Sequence, residues 1–211
     1  MSICEQGVQV SAAIWDQWNE NQIPRFPREK VVQFVLSNFT TPVAPGTWAL
    51  DLGCGSGADA LFLMERGFNV TGVDGSSIGL ANTQALVAQM PGTLNVQQAC
   101  LSQFEVPAKT YACAISVGVL DAAGIDEARI AVPRLVDALR PGGKALLIFA
   151  GEGDFRIAGV PELSLHGYSR REVESLIVLE YGVSAWIDTC TTTFQNNVTR
   201  QIDWIVTIAK R

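Results

Sequence analysis

Leu50-Asp51-Leu52-Gly53-Cys54-Gly55-Ser56-Gly57 is the stretch on which the fold turns. It closes an apolar run, Thr47 to Leu52, that reads as a buried strand. It opens a segment, Gly57 to Arg66, that reads as a helix ending at Gly67. Glycine has no Cβ, so glycines at 53, 55 and 57 let the chain turn tightly and bring backbone close to a ligand. A helix starting there offers unpaired N–H groups and the positive end of its dipole. The next apolar run, Asn69 to Asp74, ends in a carboxylate, a group able to accept two hydrogen bonds from a ribose diol. Ser76 follows where a helix needs a cap. By itself the loop also satisfies the permissive dinucleotide fingerprint as Gly53-x-Gly55-x-x-Ala58, with Asp74 near the expected distance.

Working outward, strands and helices alternate. A helix is expected over Ser76 to Met90, a weak strand over Leu94 to Gln98, and a clear strand over Tyr111 to Val117. A helix over Asp126 to Leu139 is stopped by Arg140-Pro141-Gly142-Gly143, and Lys144 to Ala150 is an apolar strand. Near-continuous apolar strands separated by helices mean a parallel sheet covered on both faces. The tail changes character. Ser169 to Glu172 is a capping box that opens a helix to about Tyr181. Val183 to Phe194 and Val198 to Ala209 then alternate around Gln195-Asn196-Asn197, with Ile202, Trp204, Val206 and Ile208 on one face, which reads as an antiparallel hairpin. The expected fold is α/β: a doubly wound, mostly parallel seven-stranded sheet with a C-terminal antiparallel hairpin and helices on both faces. Before it, Ser11 to Glu20 and Val31 to Phe39 read as helices, so residues 1–40 are expected to form a helical cap and 41–211 the main domain, as one structural unit.

The 211 residues suit one domain with a small extension. Fifteen Lys and Arg against 21 Asp and Glu leave a net charge of −6, which disfavours polyanions and anionic membrane surfaces, so neither nucleic acid nor membrane is expected as a partner. Met1 to Gln6 lacks the pattern of a signal peptide, and no apolar run approaches the roughly 18 residues of a membrane helix. Five cysteines (Cys4, Cys54, Cys100, Cys113 and Cys190) are scattered without Cys-x-x-Cys, and His166 is the single histidine. That argues against a disulfide framework or a zinc site and for a reducing, cytoplasmic location.

With these residues in view, the chain resembles class I S-adenosylmethionine-dependent methyltransferases over about residues 47 to 209. Asp51-x-Gly53-x-Gly55-x-Gly57 looks like that family's first motif. Leu139-Arg140-Pro141-Gly142-Gly143-Lys144 looks like its turn into the fifth strand, and the C-terminal helix and hairpin match its sheet ending. The resemblance implies S-adenosyl-L-methionine as cofactor, S-adenosyl-L-homocysteine as product and a small-molecule acceptor methylated on O, N or S. It also implies site residues. Gly53, Gly55 and Gly57 would floor the methionine part with Cys54 filling space inside that loop, Asp51 would receive its amino group directly or through water, and Asp74, with Gly75 and Ser76, would bind the ribose. Ser116, Gly118 and Leu120 would line the methionine side. Many members carry an acid after the third strand, near the adenine amine. Here Gln98-Ala99-Cys100-Leu101 stands in that place, leaving adenine to Cys100 and Leu101.

Methyl transfer from a sulfonium needs alignment and exclusion of water more than any one residue type, and a base only if the acceptor must lose a proton. Asp121 and His166 are the candidates for that base. Asp121 reads equally as an N-terminal partner for the following helix, and His166 as a loop histidine. Trp15, Trp18, Arg25, Phe26 and Tyr168 are candidates for contacting substrate, with packing or solvated surface as the alternative for each; Arg25 and Arg28 could attract a carboxylate. No metal is expected, although Asp121 and Asp126 leave a catechol-type site open. Other readings of the same pocket are a non-catalytic cofactor-binding protein and a nicotinamide-dependent oxidoreductase.

Overall fold

Every apolar run singled out by the sequence is a strand in the computed structural model, which describes residues 13–21, 26–177, 182–195 and 198–211. The strands are β1 (Trp48–Leu52), β2 (Asn69–Asp74), β3 (Leu94–Gln98), β4 (Tyr111–Val117), β5 (Leu139–Ala150), β6 (Val183–Phe194) and β7 (Thr199–Lys210). They form one sheet in the order β3-β2-β1-β4-β5-β7-β6. The pairs β1–β2, β1–β4, β2–β3 and β4–β5 are parallel. The pairs β5–β7 and β6–β7 are antiparallel, so the doubly wound sheet with a terminal hairpin is present as expected. The helices are α1 (residues 13–21), α2 (Glu29–Asn38), α3 (Ala58–Glu65), α4 (Ser77–Val87), α5 (Leu120–Ala123), α6 (Ile125–Ala138), α7 (Phe155–Gly159) and α8 (Arg170–Leu176), with a 3₁₀ turn over Pro161–Leu163.

Alternation along the strands divides the core in two. Leu50, Leu52, Ala114, Leu147 and Phe149 face α6 and α8, meeting Ala131, Leu135, Val173 and Leu176. Ala49, Val70, Ile115, Leu146 and Ile148 face α2 and α3, meeting Val31, Phe34, Val35 and Leu63. Asp51 takes its place in the alternation with Ala49, and a carboxylate is thereby buried in the sheet.

The departures from expectation have local causes. Helix α4 ends at Val87 rather than Met90, because Pro91 disfavours helical geometry in the residue before it. Arg140-Pro141-Gly142-Gly143 does not separate α6 from β5. It lies inside β5 as a bulge, where Tyr111 pairs Leu139 and Cys113 already pairs Lys144. Gly143 is required there, since a Cβ would stand 2.8 Å from the carbonyl oxygens of Arg140 and Tyr111. Helix α8 has the capping box at Ser169 and Glu172 and is described to Ile177. Met1 to Gln6 with Cys4, Arg25, and Asn196-Asn197 lie outside the described residues. Helix α1 is tied to the glycine loop: Ser56 Oγ donates to Asn19 Oδ1 at 2.8 Å, Ser76 Oγ donates to Asp16 Oδ1 at 2.6 Å, and Asn82 Nδ2 donates to the Asn19 carbonyl at 3.0 Å.

Candidate active site

The chain runs outward from β1 through β2 to β3 and then returns to place β4 on the other side of β1. That reversal opens a crevice at the carboxyl ends of the strands, where sheets of this kind bind ligands. A cavity of about 730 Å³ lies there. This is within the roughly 300–1,000 Å³ usual for small-ligand sites.

The glycine loop forms one wall. Gly53 and Cys54 donate their N–H groups to the Val73 carbonyl, which fixes the loop against β2. Gly53 (φ +85°) and Gly57 (φ +86°) are left-handed and tightly overpacked, by Val119 and by Thr83 respectively. Gly55 and Gly75 are different. A Cβ at Gly55 would meet only Asn19 Oδ1, at 3.6 Å, and one at Gly75 would meet nothing within 4 Å. Backbone is thus bared to the cavity.

Carboxylates crowd this wall. Asp74 accepts the Gly55 N–H on Oδ2 at 2.7 Å and the Ser76 N–H on Oδ1 at 2.8 Å. Burial raises its pKa, and those N–H groups oppose the rise. Asp59 accepts the Arg28 N–H at 3.0 Å and is also raised, chiefly by burial. Asp51 is buried beneath them, and its Oδ2 has no hydrogen-bond partner among the described residues. Burial, then Asp59 and Asp74, hold the Asp51 pKa well above the ordinary value. Burial likewise pushes up the Cys54 thiol, which stays protonated and fills space.

Asp121 and Arg156 also line the cavity, as do Val160, Leu163 and Leu165. Asp121 lies in the first turn of helix α5 and is 2% exposed. Its Oδ2 accepts the Ala150 N–H at 3.1 Å, while Oδ1 has no partner. Burial raises its pKa; Arg156 and the Ala150 N–H restrain the rise. Among the described residues no group of three or more His, Cys, Asp and Glu side chains is placed to hold a metal ion.

The cavity brings together most of the residues singled out from sequence. Gly53, Cys54, Gly55, Gly57, Asp74 and Gly75 line it, as do Cys100, Leu101, Gly118 and Asp121. Trp15, Trp18 and Phe26 line it too, the two indoles edge to face at 6.1 Å. Others stand back from it. Asp51 lies under the loop rather than on the cavity wall. Ser76 is fully buried, its Oγ accepting the Gly79 N–H as the α4 cap and donating to Asp16. Ser116 and Leu120 are buried within the fold. Tyr168 is a packing anchor: fully buried, it donates its hydroxyl to the Leu120 carbonyl at 2.8 Å and stacks edge to face on Phe149. His166 lies off the cavity, with Nε2 3.1 Å from Glu172 Oε1. Its backbone N–H bonds the Asp121 carbonyl at 2.8 Å, so the segment supports Asp121 without contacting the cavity. Asn19, Asp59, Glu127 and Arg156 line the cavity unforeseen. Glu127, at the start of α6, accepts the Ser102 N–H at 3.3 Å beside the turn where the sequence lacks an acid.

Residues 49–143, from β1 into the β5 bulge, match the family model described as "Methyltransferase domain". The chain carries a methyltransferase domain. Solved structures share the fold at low identity. One comes from a study of the conversion of a disulfide bond into a thioacetal group during echinomycin biosynthesis, with 18% identity, TM-score 0.69, and coverage of 96% of this chain and 92% of that one. A SAM-dependent methyltransferase from Methanosarcina mazei gives 16% identity and TM-score 0.66, covering 88% of this chain and 98% of that one. Haemonchus contortus phosphoethanolamine N-methyltransferase 2 in complex with S-adenosyl-L-methionine gives 17% identity and TM-score 0.68, covering 96% of this chain and 57% of that one. A comparison with curated proteins finds no match.

S-adenosylmethionine is the methyl donor that the sequence resemblance implies, and the cavity's chemistry fits it. The bared backbone at Gly55 and Gly75 makes a cradle. The unpartnered Asp51 oxygen, with Asp59 and Asp74 nearby, calls for positive charge, which a sulfonium and an α-ammonium carry.

Proposed function

We propose that this methyltransferase moves the methyl group of S-adenosylmethionine to an O, N or S atom of a small-molecule acceptor by in-line displacement. The supporting observation is one cavity lined both by the glycine loop and by Asp121, Val160, Leu163 and Leu165. The cofactor supplies a methyl already activated on a cationic sulfur. The protein's task is then to hold and align. Gly53, Gly55 and Gly57 floor the methionine part, and Asp51 beneath them answers its ammonium. Arg28, which reaches to 3.7 Å of the Cβ position of Gly118, answers its carboxylate. Asp74 keeps one lone pair on each oxygen for the ribose hydroxyls, and Cys100 and Leu101 pack adenine. Trp15, Trp18 and Phe26 exclude water over the reacting atoms. Asp121, buried and with a free oxygen, takes the acceptor's proton where one must leave.

In this reading residues 1–40 are a cap over a domain of 41–211. No described helix is long and apolar enough to cross a membrane. Cys54, Cys100, Cys113 and Cys190 are all free thiols, which suits the reducing cytoplasm. The net charge of −6 suits a small acceptor rather than a nucleic acid.

Calorimetric titration with S-adenosylhomocysteine, with NAD and NADP alongside, tests the site. One-to-one binding to the wild type and more than about tenfold weaker binding to Asp74→Ala are expected, because two hydrogen bonds to a carboxylate are lost. Equal affinity of the two proteins, or binding of a nicotinamide cofactor instead, overturns the assignment.

A further inference from the structure

The cavity lining carries a charge imbalance that methyl transfer in general does not require: Asp59, Asp74, Asp121 and Glu127 stand against Arg28 and Arg156. Arg156 is already engaged. Its Nε and Nη2 donate to Asp154 at 2.9 and 2.8 Å, and Nη2 donates to Asp203 at 2.6 Å. Asp154 is 3% exposed and also accepts the N–H groups of Arg156 and Ile202. Three carboxylates therefore share one guanidinium, and Asp121 receives the least of it. Asp121 is held rigidly: Ala150 donates to its Oδ2, and its own carbonyl accepts the His166 N–H. Oδ1 remains buried and unpartnered in a side chain whose residue lines the cavity. A buried carboxylate oxygen without a donor is costly unless a ligand brings one.

The surroundings say what kind of donor. An anionic acceptor would meet repulsion from Asp121 and from Asp59, Asp74 and Glu127, which line the same cavity. An ammonium would complete the set. Val160, Leu163 and Leu165 offer only apolar contact to the rest of the molecule. Trp15 and Trp18 line the same cavity, and indole rings attract cations over their faces.

We propose that the acceptor is an amine with an apolar body, methylated on nitrogen, and that Asp121 is the catalytic residue that binds its ammonium and removes a proton from it. This rests on the methyl-transfer reading above and narrows it. The ammonium N–H points at Oδ1. Its proton passes to the Asp121 carboxylate and frees the nitrogen lone pair. The N–C bond forms as the S–C bond breaks, leaving S-adenosylhomocysteine as a neutral thioether and the product as an N-methylammonium. Asp121 then returns its proton to solvent. The raised pKa of Asp121, caused by burial, makes the carboxylate a stronger base than an exposed aspartate.

The test uses full-length protein saturated with S-adenosylhomocysteine. Phenethylamine and hexylamine are titrated beside their isosteric alcohols, phenethyl alcohol and hexanol, with hydrocinnamate as the anion. The amines are expected to bind at least about tenfold more tightly than the matching alcohols, and hydrocinnamate more weakly than either. In Asp121→Asn the amine preference should fall to within about twofold, while S-adenosylhomocysteine affinity and the far-ultraviolet circular dichroism stay those of the wild type. Alcohols or hydrocinnamate binding as well as the amines, no binding by any of the probes, or an amine preference that survives in Asp121→Asn each overturns the proposal. Failure of S-adenosylhomocysteine to bind the wild type would instead remove the methyl-transfer reading beneath it.

Discussion

Replacing Gly57 by alanine separates two costs that usually come together. Gly57 is the N-cap of α3 and sits at φ +86°, where an L-residue pays for its Cβ. That Cβ would also stand 2.8 Å from Thr83 Oγ1, 2.9 Å from Thr83 Cα and 3.0 Å from Thr83 Cβ. One of these atoms is backbone, so helix α4 itself would have to shift. The left-handed conformation costs roughly 1–2 kcal/mol and the overpacking roughly 1–3 kcal/mol more. Together they should lower Tm by roughly 5–15 °C in a chain of this size. Gly142 is the internal control. It has φ +77° and nothing within 4 Å of its Cβ position, so Gly142→Ala bears only the first cost. Thermal unfolding of both variants, followed by circular dichroism in one buffer, should give a clearly larger drop for Gly57→Ala. Thr83 Oγ1 also donates to the Gly55 carbonyl at 2.7 Å, so displacing Thr83 disturbs the loop. S-adenosylhomocysteine affinity should fall with Gly57→Ala and not with Gly142→Ala. Equal Tm losses in the two variants would refute the steric part of the argument, and unchanged affinity in Gly57→Ala the link to the loop.

Because burial and neighbouring carboxylates raise the folded pKa of Asp51 above its unfolded value of about 3.9, the folded chain holds a proton that the unfolded chain has lost. Its contribution to stability is therefore lost as pH rises from about 4 through the raised value, and Asp51→Asn should show a shallower fall of Tm between those limits; an unchanged slope would assign the titration elsewhere. Tyr168→Phe should lose about 1 kcal/mol with the hydrogen bond to Leu120, at unchanged S-adenosylhomocysteine affinity, whereas a large loss of affinity would return Tyr168 to the site.

Residues 50–57 and Asp74 could be read from sequence because their chemistry is local: glycines at fixed spacing after an apolar run, then an acid closing the next strand. β2, β3, β4 and β6 were likewise found to the residue, being bounded by turn residues or charge. Ser116 and Leu120 are read toward the cofactor because the segment from Ser116 to Asp121 resembles the family's cofactor-facing stretch. Yet β4 is buried on both faces, so polarity gives no clue to which side chains reach the crevice. Tyr168 stands before a helix in sequence and beneath one in space, through its bridge to Gly151. Helices α5 and α7 are too short for a 3.6-residue period to show. Asn19 reaches Ser56 across 37 positions and Asp16 reaches Ser76 across 60. Nothing in the local pattern of either partner announces such a contact. Arg156 is similar: its carboxylate partners lie two and 47 positions away, in a stretch whose loop character hid the pairing.

Helix α1 has a consequence for how stability is distributed. Among its described residues Asn19 is the one buried side chain, while Trp15 is half-buried and Trp18 exposed. None of those residues belongs to either apolar core, and polar bonds to Ser56, Ser76, Ile78 and Asn82 hold them. Detaching it thus costs far less than unfolding the sheet, and its amide hydrogens should exchange well ahead of those in β1 and β4. An element that lines the cavity is thus one the fold can release early, so ligand passage need not await any disturbance of the strands that carry the glycine loop.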